Sequence, residues 1–321
     1  MQFWKAYTWP QNLSRAGILG MNRRNHSYIS RYNPRGRYPL VDDKLKTKQL
    51  ALASGVAIPK LIGTISEHHE VSMLASMVRN RPGFCIKPAR GSGGKGVLLV
   101  THQEEGCYFK PDGKTETLEN LERHASNILS GLHSLGGKPD TLLIENLITF
   151  DKIFEGYSFE GVPDTRVIVF KGFPVIAMIR LSTSVSLGKA NLHQGAVGVG
   201  LCLRTGRALR AVQHNTPVLR HPDTGLDFHN LSVPHWDTLL TLAASCYEMS
   251  GLGYIGTDMV LDGNRGPLLL ELNARPGLSI QTANGRGLLP SLRTVEGLGD
   301  TAMNISQRVK FSQQHFGVFD R

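Results

Sequence analysis

The stretch "YIGTDMVLDGNRGPLLLELNARPG" constrains the fold more than any other part of the chain. Two apolar runs flank the turn Gly263-Asn264-Arg265-Gly266, a pattern that folds back as an antiparallel hairpin. With a tight turn there, Asp258 stands opposite Glu271. Residues at i and i+2 of a strand share a face, so Asn273 continues the face of Glu271. A buried carboxylate without a partner is costly, and two of them repel unless cations neutralise them. Two carboxylates plus an amide oxygen are hard donors, a set suited to Mg²⁺ or Mn²⁺ and, through the metal, to nucleotide phosphates. The simpler reading is a surface hairpin with a wet polar face. The leucines on both sides of Glu271 argue against it.

A second feature is the glycine loop "ARGSGGKG". Gly91, Gly93 and Gly96 satisfy G-x-G-x-x-G, but the dinucleotide reading requires a helix straight after the loop, and "VLLV" reads as a strand. A Walker A loop is excluded because Gly96, not Ser or Thr, follows Lys95. A strand–loop–strand flap remains, whose backbone N–H groups close over phosphates. Its candidates are Gly91, Ser92, Gly93, Gly94 and Lys95. The kinase H-R-D and D-F-G motifs are absent. A plain glycine hairpin is the bland alternative. Against it stand Lys87, on a strand otherwise fit for burial, and Lys95 at the loop tip, both natural point-charge partners of phosphate.

Around these features the chain alternates hairpins and helices. "VDDKLKTKQLALASGVAIP" reads as a helix capped by Asp42 or Asp43 and ended by Gly55, with a Pro-terminated strand after it. A helix around "HHEVSMLASMVRN" leads into the strand "FCIKP". A hairpin turn at "KPDGK" and the helix "LENLERHASNILSGLHSL" follow the glycine loop. The strand "TLLIENLI" opens a strand-rich second half, in which "DTRVIVFKGFPVIAMIRLS" is two strands joined at Lys171-Gly172 and "WDTLLTLAASCYEMSGLG" is a helix. The mixture predicts an α+β fold with a lobe boundary near residues 147–152.

Charge is distributed unevenly. The net charge is +10, and residues 1–50 hold ten Lys or Arg against Asp42 and Asp43, a net +8. Residues 1–40 therefore read as a basic, aromatic N-terminal arm. Such an arm meets an acidic protein, an anionic membrane surface or RNA; the plainer reading packs Trp4, Tyr7, Trp9, Tyr28, Tyr32 and Tyr38 on the body. The rest of the chain is close to neutral, which argues against nucleic acid as the main partner. Four cysteines lie far apart without a C-x-x-C, and no apolar run suits a signal peptide or a membrane span. A cytoplasmic protein with reduced cysteines is expected.

Taken in order, the lysine helix, the lysine strand with its glycine flap, the hinge strand carrying Glu145 and the Asp258…Glu271-x-Asn273 hairpin resemble an ATP-grasp ligase from Lys44 to Gly277. "DTR", "ANLHQG" and "ELNARPG" are most similar to RimK-type α-L-glutamate ligases, and "GLSIQTANGRGL" resembles the sugar-transfer-associated branch. The resemblance implies two lobes, 41–148 with the flap and 149–321 with the metal site, and the nucleotide between them. About forty residues precede Lys44, so a full N-terminal domain of the kind most relatives carry is not expected. Lys44 and Lys87 would contact ATP phosphates. Glu145 and Leu147 would hold the adenine edge, with Asp151 the candidate for the ribose. Asp258, Glu271 and Asn273 would carry two Mg²⁺ ions.

The implied reaction joins a small-molecule or peptide carboxylate to an amine acceptor through an acyl phosphate. It needs positioned cations rather than a covalent nucleophile. Arg166 and Arg180, on neighbouring strands, are candidates for stabilising the transferring group, and a surface salt bridge is the plain alternative for each. Lys189 and Asn191 are placed on a loop near the γ-phosphate. Arg275 and Arg286 are candidates for a substrate carboxylate. The rival function is a non-catalytic ATP-binding regulator that signals through the basic arm. Such proteins tend to lose metal ligands, and all three are present here.

Overall fold

Three antiparallel sheets organise the chain, seen in a computed structural model that describes residues 9–317 except 92, 135, 300 and 301. In chain order the strands are β1 (Leu61–Ile65), β2 (Phe84–Pro88), β3 (Leu98–Val100), β4 (His102–Glu104), β5 (Cys107–Phe109), β6 (Thr115–Glu116) and β7 (Leu142–Asn146). These are followed by β8 (Asp164–Phe170), β9 (Phe173–Leu181), β10 (Val197–Leu201), β11 (Ala208–Gln213), β12 (Thr216–Val218), β13 (Tyr254–Asp262) and β14 (Gly266–Asn273). The first sheet has the order β1-β7-β2-β3, the large one β12-β11-β10-β9-β8-β13-β14, and β4-β5-β6 form a small third sheet.

The first sheet packs its apolar face on the helix Leu118–Leu129 and the helical turn before β2. Phe84, Ile86, Leu121, Ile128, Leu142 and Ile144 form one core there. The helix earns its place by periodicity: Leu121, Ala125 and Ile128 recur on one face, and Thr117 caps it by accepting from the Asn120 N–H. The large sheet packs against the helices Trp236–Ser250 and Ile305–Phe316, and β13 is buried along its whole length.

Two expectations need correction. β7 does not open the second half; it lies inside the first sheet, between β1 and β2. The strand read in "VAIP" is an extended connector, and β1 begins after it. The connector still serves the large sheet, because the Leu269 N–H donates to the Ala57 carbonyl at 2.8 Å.

The N-terminal stretch differs most from the expected arm. Trp4 and Tyr7 lie outside the described residues, and Trp9 is exposed. Leu19, Tyr28 and Ile29, however, belong to the large core. Asn33 acts as a two-way clamp: its Nδ2 donates to the Tyr254 and Ala274 carbonyls, and its Oδ1 accepts from the Tyr254 N–H at 2.8 Å. Gln281 accepts from the Leu19 N–H in the same way, at 2.8 Å. Residues 19–42 are thus part of the body. The aromatic packing expected of Tyr28 and Tyr32 is present, against Phe170.

Candidate functional site

The β13–β14 ladder sets Asp258 opposite Glu271 and Gly256 opposite Asn273, the facing expected from the sequence, but by another route: Asp262 pairs with Gly266, one residue tighter than the expected turn, and a register shift between Asp258 and Met259 restores the pairing. On the other side of β13, Asp258 pairs with Arg166 of β8, and Asp164 of β8 pairs with Arg180 of β9. Partners across antiparallel strands share a face, so these side chains converge. Arg166 grips Asp258 with Nε and Nη2 at 2.6 and 2.5 Å. Arg180 holds Asp164 through a second two-point pair, and its Nη2 also reaches Asp258 at 3.0 Å. Burial works to raise the Asp258 pKa, but the two guanidinium groups outweigh it and hold the carboxyl well below the usual range. Burial prevails at Asp164, whose carboxyl rises to about 6 despite Arg180.

Lys44 links this cluster to the glycine loop. It starts the helix Lys44–Ala53, which Asp43 caps by accepting from the Leu45 and Lys46 N–H groups. Its ammonium donates to the Gly91 carbonyl at 2.5 Å and lies 3.7 Å from the Glu271 carboxylate. The loop itself turns through positive φ at Gly93, Gly94 and Gly96, and a Cβ at Gly96 would strike the His133 ring. His124 fastens the far end, its Nε2 lying 3.0 Å from the Gly96 carbonyl, which can only accept. Lys95 at the tip is exposed, and Ser92 lies outside the described residues.

The Glu145 side chain lies between two lysines. Its carboxylate is buried, 2.9 Å from Lys87 and 2.9 Å from Lys48. Burial opposes the charge on Lys87, but Glu145 outweighs it and lifts the pKa; at Lys48 burial wins and the pKa falls. Lys48 was absent from the sequence-derived set. Its signal was its spacing, since i and i+4 from Lys44 share a helix face. Asp164 was missed likewise, although it opens the "DTR" run.

The remaining predicted residues are placed as follows. Chain direction changes after β7, where the Thr149 N–H donates to Asp262 at 2.9 Å; Leu147 is half-buried there, and Asp151 caps the short turn Lys152–Phe154. Asn191 caps the turn Leu192–Gln194, and Lys189 is exposed on the same loop. Arg275 stacks on the Tyr38 ring at 4.7 Å and lies 4.0 Å from Asp42. Arg286 donates to the Phe316 carbonyl at 2.9 Å, turned to the end of the last helix rather than to the arginine cluster.

The donor set accommodates a divalent ion in one part and resists it in another. Glu271 is two-fifths exposed and Asn273 presents its amide oxygen, although that oxygen accepts from the Arg275 N–H. Asp258, by contrast, has both oxygens engaged by arginine. Among the described residues no three carboxylates, histidines or cysteines converge on a metal position, so Asn273 is needed to complete a set. Lys44, Arg166 and Arg180 offer cations for a phosphate chain.

The sugar-transfer-associated ATP-grasp family matches residues 23–297. A probable α-L-glutamate ligase of Parasynechococcus marenigrum (strain WH8102) is 26% identical over 247 residues, covering 77% of this chain and 39% of that protein. The chain thus spans about two fifths of that relative's length. Among solved structures, D-cycloserine synthetase DcsG is 16% identical, with a TM-score of 0.49 over 83% of this chain and 72% of that one. The ATP-grasp ligase PsnB, complexed with a minimal precursor, is 13% identical with a TM-score of 0.46 over 88% and 63%. With most of its length matched, the chain belongs to the sugar-transfer-associated ATP-grasp family and has the α+β ATP-grasp fold.

Proposed function

We propose that the protein is an ATP-dependent carboxylate–amine ligase that forms an amide bond, adding glutamate or another amino acid to a peptide, protein or amino-sugar acceptor. The observation that carries this reading is the convergence of Arg166, Arg180, Asp258, Glu271 and Lys44 beside the glycine loop. Mg²⁺–ATP, when bound, supplies the phosphoryl group that activates the carboxylate. Lys44 and the loop amides would orient the phosphate chain; Glu271 and Asn273 would hold the ion, joined by Asp258 only where an arginine yields one of its oxygens. Arg180 and Arg166, preorganised by Asp164 and Asp258, face the charge that develops on the transferring group. The buried Lys48–Glu145–Lys87 set keeps Lys87 charged and fixed in the wall of the nucleotide cleft.

One observation favours a second reading, nucleotide binding without turnover: the double engagement of Asp258 by arginine leaves it no free oxygen for a metal. ADP release separates the two. The ligase reading expects Mg²⁺-dependent ADP release only in the presence of a suitable carboxylate, and a hydroxamate when hydroxylamine is added. Binding of ATP without ADP release across a broad carboxylate panel would support the second.

A further inference from the structure

We infer that Arg90 is a positioning residue for the nucleotide: with Asp43 it forms a clasp that fixes the start of the Lys44 helix against the root of the glycine loop. The inference rests on the nucleotide site of the ligase reading and not on the amide-forming step.

The clasp joins two parts of the molecule that are built on separate cores. The helix Lys44–Ala53 belongs to the large sheet: Ala51 and the flanking Val41, Val56 and Ile58 enter the large core, and the helix packs on β14 and on the helix Trp236–Ser250. The root of the glycine loop belongs to the first sheet. It continues the β2–β7 ladder by one more bond, from the Ala89 N–H to the Thr141 carbonyl at 2.9 Å, and the chain turns away at Arg90. Asp140, itself buried, pins that turn by accepting from the Arg90 N–H at 3.1 and 3.0 Å.

Three bonds cross from the helix to the loop root. The Lys44 N–H donates to the Ala89 carbonyl at 2.9 Å, the Lys44 ammonium donates to the Gly91 carbonyl at 2.5 Å, and Arg90 Nε donates to Asp43 Oδ2 at 3.2 Å. Asp43 divides its carboxylate between two tasks. Its Oδ1 accepts from the Leu45 and Lys46 N–H groups at 3.0 and 3.3 Å, and its Oδ2 takes Arg90. One side chain therefore closes the first turn of the helix that begins with Lys44 and ties that turn to the loop.

The chemistry of the site explains why the third bond matters. A lysine is a point charge on a flexible four-carbon stem, so its aim depends on where the backbone beneath it is held. A phosphate chain that takes the Lys44 ammonium competes with its bond to the Gly91 carbonyl. The Arg90–Asp43 pair does not involve that ammonium and survives the exchange, keeping the helix start opposite the loop. Arg90 is not itself turned to the phosphates: its Nη1 donates to the Pro139 carbonyl at 3.3 Å while its Nε holds Asp43. The Lys44 ammonium, by contrast, comes within 3.7 Å of Glu271. The plain alternative is a half-exposed ion pair that contributes almost nothing.

The test measures binding of Mg²⁺–ATP and of adenosine to the full chain by titration calorimetry. Arg90→Leu is expected to weaken Mg²⁺–ATP about tenfold and to leave adenosine, which has no phosphate, within about twofold. Asp43→Asn keeps a good helix cap but loses the charge pair, and should give the same pattern. In a Lys44→Met background Arg90→Leu should cost no more than about a further twofold, because the residue it positions is gone. Unchanged ATP affinity in Arg90→Leu, or equal weakening of ATP and adenosine, overturns the inference. So does a loss in Arg90→Leu that Asp43→Asn fails to reproduce, or one that persists in full without Lys44. If Arg90→Leu does not fold, Asp43→Asn and Arg90→Gln carry the same comparison. Absence of ADP release would sink the ligase reading while leaving these affinities to decide the clasp; an unsubstituted protein that binds no ATP overturns both.

Discussion

Replacing Glu145 with glutamine isolates the electrostatics of the first sheet, because the shape is kept and only the charge is lost. In the folded protein the Glu145 carboxylate is 3% exposed and serves two ammonium groups, those of Lys48 and Lys87, each at 2.9 Å. Lys48 has one further partner, the Pro59 carbonyl at 2.8 Å. Without the carboxylate two buried cations face each other, and breaking a buried pair by removing one partner costs about 3–5 kcal/mol. Lys48→Met is the informative contrast. It leaves Lys87 and Glu145 as a neutral pair and sacrifices chiefly the bond to Pro59, a loss of about 1–3 kcal/mol. Glu145→Gln should therefore be the more damaging of the two, by urea unfolding read as a shift in midpoint at constant slope. A double variant should cost less than the two losses summed, since the second substitution removes a cation that the first left unpaired. Glu145→Gln costing under about 1 kcal/mol, or no more than Lys48→Met, would refute the three-membered charge set.

Three other outcomes are expected. Asn33→Ala removes three hydrogen bonds that join the N-terminal stretch to Tyr254 and Ala274, and should lower stability by about 1–3 kcal/mol in thermal or urea unfolding; a neutral result would return that stretch to the status of an arm. The Asp258 carboxyl is depressed in the folded state, so the stability it contributes is present above its unfolded pKa of about 3.9 and is lost as pH falls through its lower folded value; the acid limb of a Tm–pH curve should be shallower in Asp258→Asn. Arg180→Lys keeps the charge but loses the two-point grip on Asp164, and under the ligase reading should lower kcat about 10²-fold with little change in ATP affinity; unchanged turnover would remove Arg180 from the chemistry.

The β13–β14 pairing was legible because a tight turn brings two apolar runs together, although the final facing of Asp258 and Glu271 comes from a register shift after Met259 that the pattern does not encode. The basic N-terminal residues were not, for the opposite reason. Their helical pieces are short and irregular, and what orders them is contact with residues more than two hundred positions away. Strand β10 escaped notice because "VGVGL" alternates with glycine, whose backbone freedom usually signals a loop. In the fold those glycines instead admit Leu192 and the helix Ser279–Asn284 close to the sheet. The acidic pair and the glycine loop were visible as chemistry, yet the arginines' grip on Asp164 and Asp258 depended on a three-strand juxtaposition that no local spacing encodes.

The Asn33 clamp also sets a condition on how the chain is made. Asn33 and Tyr254 are 221 residues apart, and Leu19 and Gln281 are 262 apart. At about 5–20 residues per second, a ribosome needs roughly 10–50 s to deliver the second partner after the first. During that interval Leu19, Tyr28 and Ile29 have no core to enter. Such high contact order slows folding and leaves apolar side chains open to stray association. The arginines scattered through the same stretch give the waiting segment a strong like charge, which keeps nascent copies apart until the C-terminal strands emerge.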